Sequence, residues 1–83
     1  MERAAVMDLL RAKAVALLDL EPDQIRDDVS FKKDLDVDSL ALVEYTMAIE
    51  DDLGISLPEE EVSELTSIGA FADLVVSKTE AAA

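Results

Sequence analysis

Apolar side chains recur at helical spacing in segment after segment of this chain, which limits the fold to packed helices joined by loops. From about Ala4 to Leu20, Val6, Leu9, Leu10, Leu17 and Leu18 keep that spacing. Alanines, the strongest helix formers, fill most of the gaps. A second helix starts near Asp38 or Ser39, both N-capping residue types, and runs to Leu53, where Gly54 supplies a left-handed stop. Ile55-Ser56-Leu57 reads as a brief extended piece ending at Pro58, and Glu59, Glu60 and Glu61 suit the first turn of a short third helix to about Leu65. Thr66-Ser67 offers a cap for a fourth helix from Ile68 to about Lys78, with Ile68, Phe71, Leu74 and Val75 on one face. Residues 79–83 read as a frayed tail. The expected fold class is all-α, a small four-helix bundle of three main helices and one short one.

The connection between the first two helices is too apolar for a linker. It opens at Pro22-Asp23 and runs to about Val37, carrying Ile25, Val29, Phe31 and Leu35. We expect an ordered loop pinned to the core at those four points, with room for a short helical turn. At 83 residues the chain makes one domain, 1–83, with one thin core and no deep multi-walled active site.

Composition removes several kinds of chemistry. There is no cysteine, hence no disulfide framework and no thiolate nucleophile, and no histidine, the commonest general base and metal ligand. No uncharged apolar run reaches the ~18 residues that read as a membrane span. Glu2, Arg3, Asp8, Arg11 and Lys13 interrupt any signal-peptide core, so a cytoplasmic protein is expected. The net charge of −13 is unevenly spread: residues 1–33 carry −1 and residues 34–83 carry −12, with Lys78 the one base of the second part. Such a surface repels phosphate backbones and anionic lipid, so neither nucleic acid nor membrane is expected as a partner. The carboxylates are either a solvated face or a surface for a basic partner.

The second helix carries two apolar stripes. Leu42, Tyr45, Ile49 and Leu53 make an ordinary core face, and Leu40, Val43 and Met47 lie beside it, interleaved with Glu44, Glu50 and Asp51. Either both stripes are buried, or the second is a docking face with carboxylates that steer a basic surface. Just before this helix, Asp34, Asp36 and Asp38 match positions 1, 3 and 5 of an EF-hand loop. Ser39 then stands where that loop needs glycine and Tyr45 where it needs a bidentate glutamate, so no metal site is expected. Ser39 has no base to activate it as a nucleophile, and either caps the helix or carries a group whose phosphate the helix N-terminus favours.

The stretch from Phe31 through Asp34-Leu-Asp-Val-Asp-Ser-Leu40, Val43-Glu44, Met47, Glu50-Asp51 and Ile55-Ser-Leu-Pro58 resembles the signature of acyl carrier proteins, and the likeness covers about residues 4–78. The resemblance implies a non-catalytic carrier whose Ser39 takes 4′-phosphopantetheine from coenzyme A, with Asp38 and Leu40 flanking the attachment. Acyl groups would ride on the arm's thiol as thioesters. Leu40, Val43, Glu44, Met47, Glu50 and Asp51 would meet partner enzymes: the phosphopantetheinyl transferase, an acyltransferase, a ketosynthase and others with basic surfaces. Phe31, Tyr45, Ile49, Leu57, Val62, Leu65 and Phe71 would line an acyl-chain cleft, and the carrier would be a monomer.

Three departures from the family pattern stand out. Asp36 replaces a glycine, so either no positive φ is needed there or aspartate tolerates it. Ala41 replaces a polar or acidic residue, and Tyr45 an aliphatic one. Asp36 and Ala41 lean the expectation toward a polyketide rather than a fatty-acid carrier, and Tyr45 with Phe71 toward a narrowed cleft for short or polar chains. The alternative is a helical protein–protein adaptor of the same fold with Ser39 unmodified.

Overall fold

The computed structural model describes residues 1–82 and, of Ala82, the backbone alone. Four α-helices follow in order: α1 (Arg3–Leu18), α2 (Ser39–Leu53), α3 (Glu59–Ser63) and α4 (Ile68–Ala82), with a 3-10 turn at Pro22–Gln24 inside the α1–α2 loop. Helix α1 stops two residues before the expected Leu20 because Asp19 takes a left-handed φ of 57°. Its buried face is Val6, Met7, Leu10 and Ala14, while Leu9 and Leu18 are half-buried. Leu17 is not a core residue. It points the same way as Val6 and Leu10, but nothing covers that face at the last turn, and it stays 50% exposed.

The long loop is ordered as expected. Ile25, Val29 and Phe31 are buried and Leu35 half-buried, with Val37 a further buried anchor. The loop also completes α4, whose first N–H groups have no partners within the helix. The Ile68 N–H donates to the Val29 carbonyl at 2.7 Å and the Gly69 N–H to the Asp27 carbonyl at 3.0 Å. Ser67 Oγ caps the same helix by accepting from the Ala70 N–H at 3.1 Å. Contact at Gly69 is so close that a Cβ there would lie 2.9 Å from the Asp27 oxygen.

An aromatic trio fills the centre. Phe31 meets Tyr45 edge-on at 5.1 Å between centroids and Phe71 at 6.0 Å, tying loop, α2 and α4 together. Such pairs add about 0.5–1.5 kcal/mol beyond area burial. The Tyr45 hydroxyl needs a partner in this setting and donates to the Leu10 carbonyl on α1 at 2.7 Å. Desolvation pushes the phenol well above its ordinary range.

Two boundaries differ from expectation. Helix α3 ends at Ser63 rather than Leu65, with the Ser63 hydroxyl donating to the Glu60 carbonyl at 3.1 Å. Helix α4 continues to Ala82, so residues 79–82 are helix and not a frayed tail, while Ala83 lies outside the described residues. No glycine or proline follows Gly69, and alanines extend a helix at no side-chain cost.

Candidate functional site

The start of α2 is set by two local devices. Asp36 does take the left-handed conformation, φ 56°, so aspartate occupies the position where the family pattern has glycine without removing the turn. The Val37 N–H donates to the Phe31 carbonyl at 2.8 Å across that turn, which puts Val37 in the core and delivers Asp38-Ser39 to the surface. Asp38 Oδ1 then accepts from the Ala41 N–H at 2.8 Å as the N-cap. The capping role weighed for Ser39 therefore belongs to its neighbour.

Ser39, the first residue of α2, is exposed, and its hydroxyl makes no hydrogen bond among the described residues. The N–H groups of Ser39 and Leu40 likewise find no acceptor there. A free hydroxyl beside unpaired N–H groups at the positive end of a 15-residue helix suits an attached phosphodiester. Ser39 also borders a cavity of about 270 Å³ between α2 and α3, whose walls include Leu42, Val43, Met47, Leu57 and Val62.

The second stripe of α2 faces outward. Leu40 is 69%, Val43 40% and Met47 55% exposed, so the reading in which both stripes are buried is set aside. Glu44 and Asp51 are exposed beside them. Glu50 departs from the rim expected of it: it is half-buried, and its Oε2 accepts from the Leu57 N–H at 2.7 Å, holding the segment before α3 against α2. Asp52 pairs with Lys13 at 2.9 Å.

The residues expected to line a cleft divide into two groups. Leu57 and Val62 line the cavity beside Ser39. Phe31, Val62, Leu65 and Phe71 line a second cavity of about 230 Å³ between the loop and the α3–α4 junction. Tyr45 and Ile49 line neither, being fully buried behind the walls. Tyr45 therefore does not narrow the cleft directly; it packs behind Phe31 and Phe71 and fixes their rings. Sequence periodicity missed Leu42, Thr46 and Lys32 as lining residues. Thr46 is the one that a local signal could have found, as a polar residue inside the core stripe, and its hydroxyl donates to the Leu42 carbonyl at 2.8 Å.

Residues 8–75 match the family described as the phosphopantetheine attachment site. Among curated relatives, the chain is 39% identical over 69 residues to a polyketide-8 synthase acyl carrier protein 2 of Streptomyces avermitilis, covering 83% of this chain and 79% of that protein. It is 30% identical over 81 residues to an acyl carrier protein of Thermosynechococcus vestitus, covering 98% and 100%. Among solved structures, the acyl carrier protein of Thermotoga maritima superposes with a TM-score of 0.86 at 23% identity, over 100% of this chain and 96% of the other. That of Enterococcus faecalis gives 0.77 at 29%, over 94% and 99%. The chain belongs to the acyl carrier proteins, non-catalytic carriers with a phosphopantetheine attachment site that work through the enzymes of a pathway. No described helix is long and apolar enough to cross a membrane.

Proposed function

We propose that Ser39 is the attachment point of 4′-phosphopantetheine and that the chain presents acyl thioesters to pathway enzymes docking on the outer face of α2. The observation that carries this reading is the free, exposed Ser39 hydroxyl at a helix start, beside both a cavity and an uncovered apolar stripe. In the attachment step Ser39 Oγ bonds to the phosphorus of coenzyme A's pyrophosphate that bears pantetheine. The P–O bond to adenosine 3′,5′-bisphosphate breaks, and a base on the transferase takes the hydroxyl proton, since this chain offers no histidine. Once attached, the arm supplies the thiol on which acyl groups are held.

Leu40, Val43 and Met47 make the apolar contact with partners, and Met47 adapts to several of them. Glu44 and Asp51 steer basic surfaces, those of the transferase, an acyltransferase or a ketosynthase, while Glu50 contributes mainly by holding Leu57 in place. Asp36, Ala41 and the likeness to a polyketide-synthase carrier support a polyketide pathway over fatty-acid synthesis. The carrier acts as a monomer in the cytoplasm, where coenzyme A is at hand.

The test is intact mass after incubation with coenzyme A, Mg²⁺ and a broad-specificity phosphopantetheinyl transferase. Wild type gains one phosphopantetheine and Ser39→Ala gains none while keeping its melting temperature. Gain on Ser39→Ala refutes the assignment, and no gain on either points to the unmodified adaptor.

A further inference from the structure

The second cavity has two lysines and no acidic residue among its lining residues, with Asp34 Oδ2 just outside it accepting from the Ser30 N–H at 2.8 Å. Among the described residues, four of the chain's seven basic residues, Arg3, Arg11, Lys13 and Lys78, form ion pairs. Of the remaining three, Lys32 and Lys33 both line the second cavity, and no carboxylate does. Its other polar groups are hydroxyls. Ser30 Oγ accepts from the Lys33 N–H at 3.2 Å and Ser67 Oγ from the Ala70 N–H at 3.1 Å, so each keeps its O–H to donate, and Thr66 makes no hydrogen bond among the described residues. On a chain of net charge −13, the residues lining this apolar-floored hollow include two exposed lysines and the hydroxyl residues Ser30, Thr66 and Ser67. The cavity beside Ser39 instead has Glu50 and Glu59 on its wall together with Lys32. Both cavities share Lys32, Leu42, Val62 and Ser63 as lining residues and therefore adjoin.

We propose that the second cavity binds the far end of the carried acyl chain when that end bears a carboxylate, with Lys32 and Lys33 as its counter-ions. This rests on the carrier reading and names a cargo class within it. A plain alkyl end would meet only the Phe31 and Phe71 floor and leave the lysines to solvent, whereas a carboxylate adds charge-assisted contacts with them. The arm's own phosphate is the other anion within the molecule's reach, and a form carrying only the arm separates the two sources.

The experiment compares three forms at Ser39: the free-thiol arm, an octanoyl thioester and a 7-carboxyheptanoyl thioester of equal chain length. Loading is verified by intact mass for each, and backbone amide shifts are recorded for residues 30–33 and 62–67. Amides at both segments should move with the carboxylate-ended chain only. That movement should be lost in the Lys32→Gln/Lys33→Gln double variant, whose changes are at exposed positions. A solvent-edge ion pair of this kind shifts the enclosed fraction about two- to fivefold. Equal movement with octanoyl overturns the proposal, as does movement that survives in the double variant. Movement with the arm alone assigns the lysines to the phosphate and overturns it too. Failure to load Ser39 at all is visible in the mass and brings down the carrier reading first, and this proposal with it.

Discussion

Two corners of the molecule are built from the same parts, a loop meeting the start of a long helix, and they treat their polar groups in opposite ways. Where the loop meets α4, the first N–H groups are consumed by Val29, Asp27 and Ser67, and Arg3 reaches from α1 to bind Asp73, Asp27 and the Gly69 carbonyl. Where the loop meets α2, Asp38 takes one N–H, and the Ser39 hydroxyl, two N–H groups and the Leu40 side chain are left to solvent. Saturated groups hold a fold and have nothing left to offer. The α4 corner is therefore closed, while the α2 corner keeps unpartnered groups that the proposed attachment at Ser39 can use.

The largest stability effect expected from this contrast is at Gly69. Alanine there places its Cβ 2.9 Å from the Asp27 carbonyl oxygen, a backbone atom that cannot swing away. Loop and helix must part, at a cost of about 1–3 kcal/mol, with loosening at Val29 and Ile68. Chemical denaturation reads the cost, and an unchanged midpoint would show that the α4 corner is less closed than its hydrogen bonds imply. At the α2 corner the one satisfied group is the cap, so Asp38→Ala should cost about 0.5–2 kcal/mol and Asp38→Asn very little. The asparagine variant sharpens the contrast. If it melts like wild type yet takes up phosphopantetheine more slowly, the Asp38 charge serves attachment as well as capping. Equal uptake confines it to the cap.

How much of this was legible in the sequence follows the range of each interaction. The limits of α2 could be read because Asp38 and Gly54 act on their own helix ends; Gly54 has nothing within 4 Å of a would-be Cβ, so its role is purely its φ of 63°. The loop anchors were legible because a buried Ile25 or Phe31 has no reason to sit in a solvated linker. The exposure of Leu17 was not legible, because periodicity gives a direction but not whether another element covers it. Asp36 could not be decided, since aspartate visits both backbone regions and only the Phe31–Val37 hydrogen bond shows which one the turn needs. Tyr45 belongs by spacing to the α2 core stripe, yet which walls that stripe lines depends on α1, whose Leu10 carbonyl draws the phenol inward. Arg3 could not be paired from the sequence at all, with Asp27 and Asp73 lying 24 and 70 residues away.

The smallest effect expected is also the most specific to the closed corner, because Arg3 is half-buried and its two carboxylate partners are largely exposed. Hydrogen bonding from the Arg3 guanidinium, at 2.7 Å, holds the Asp27 carboxyl below the usual carboxylate range. A depressed folded-state value means that the unfolded chain takes up its proton first as pH falls. The contribution is then present above the ordinary aspartate value of about 3.9 and is lost as pH falls through the lower folded value. Arg3→Gln should therefore melt below wild type near neutrality, with the gap closing in acid and also narrowing at high salt. The opposite trend from the −13 net charge, whose self-repulsion eases as carboxylates protonate, affects both proteins and largely cancels in their difference. A gap that stays constant from about pH 7 to pH 2 would assign the role of Arg3 to its bond with the Gly69 carbonyl, which does not titrate, rather than to its two carboxylate partners.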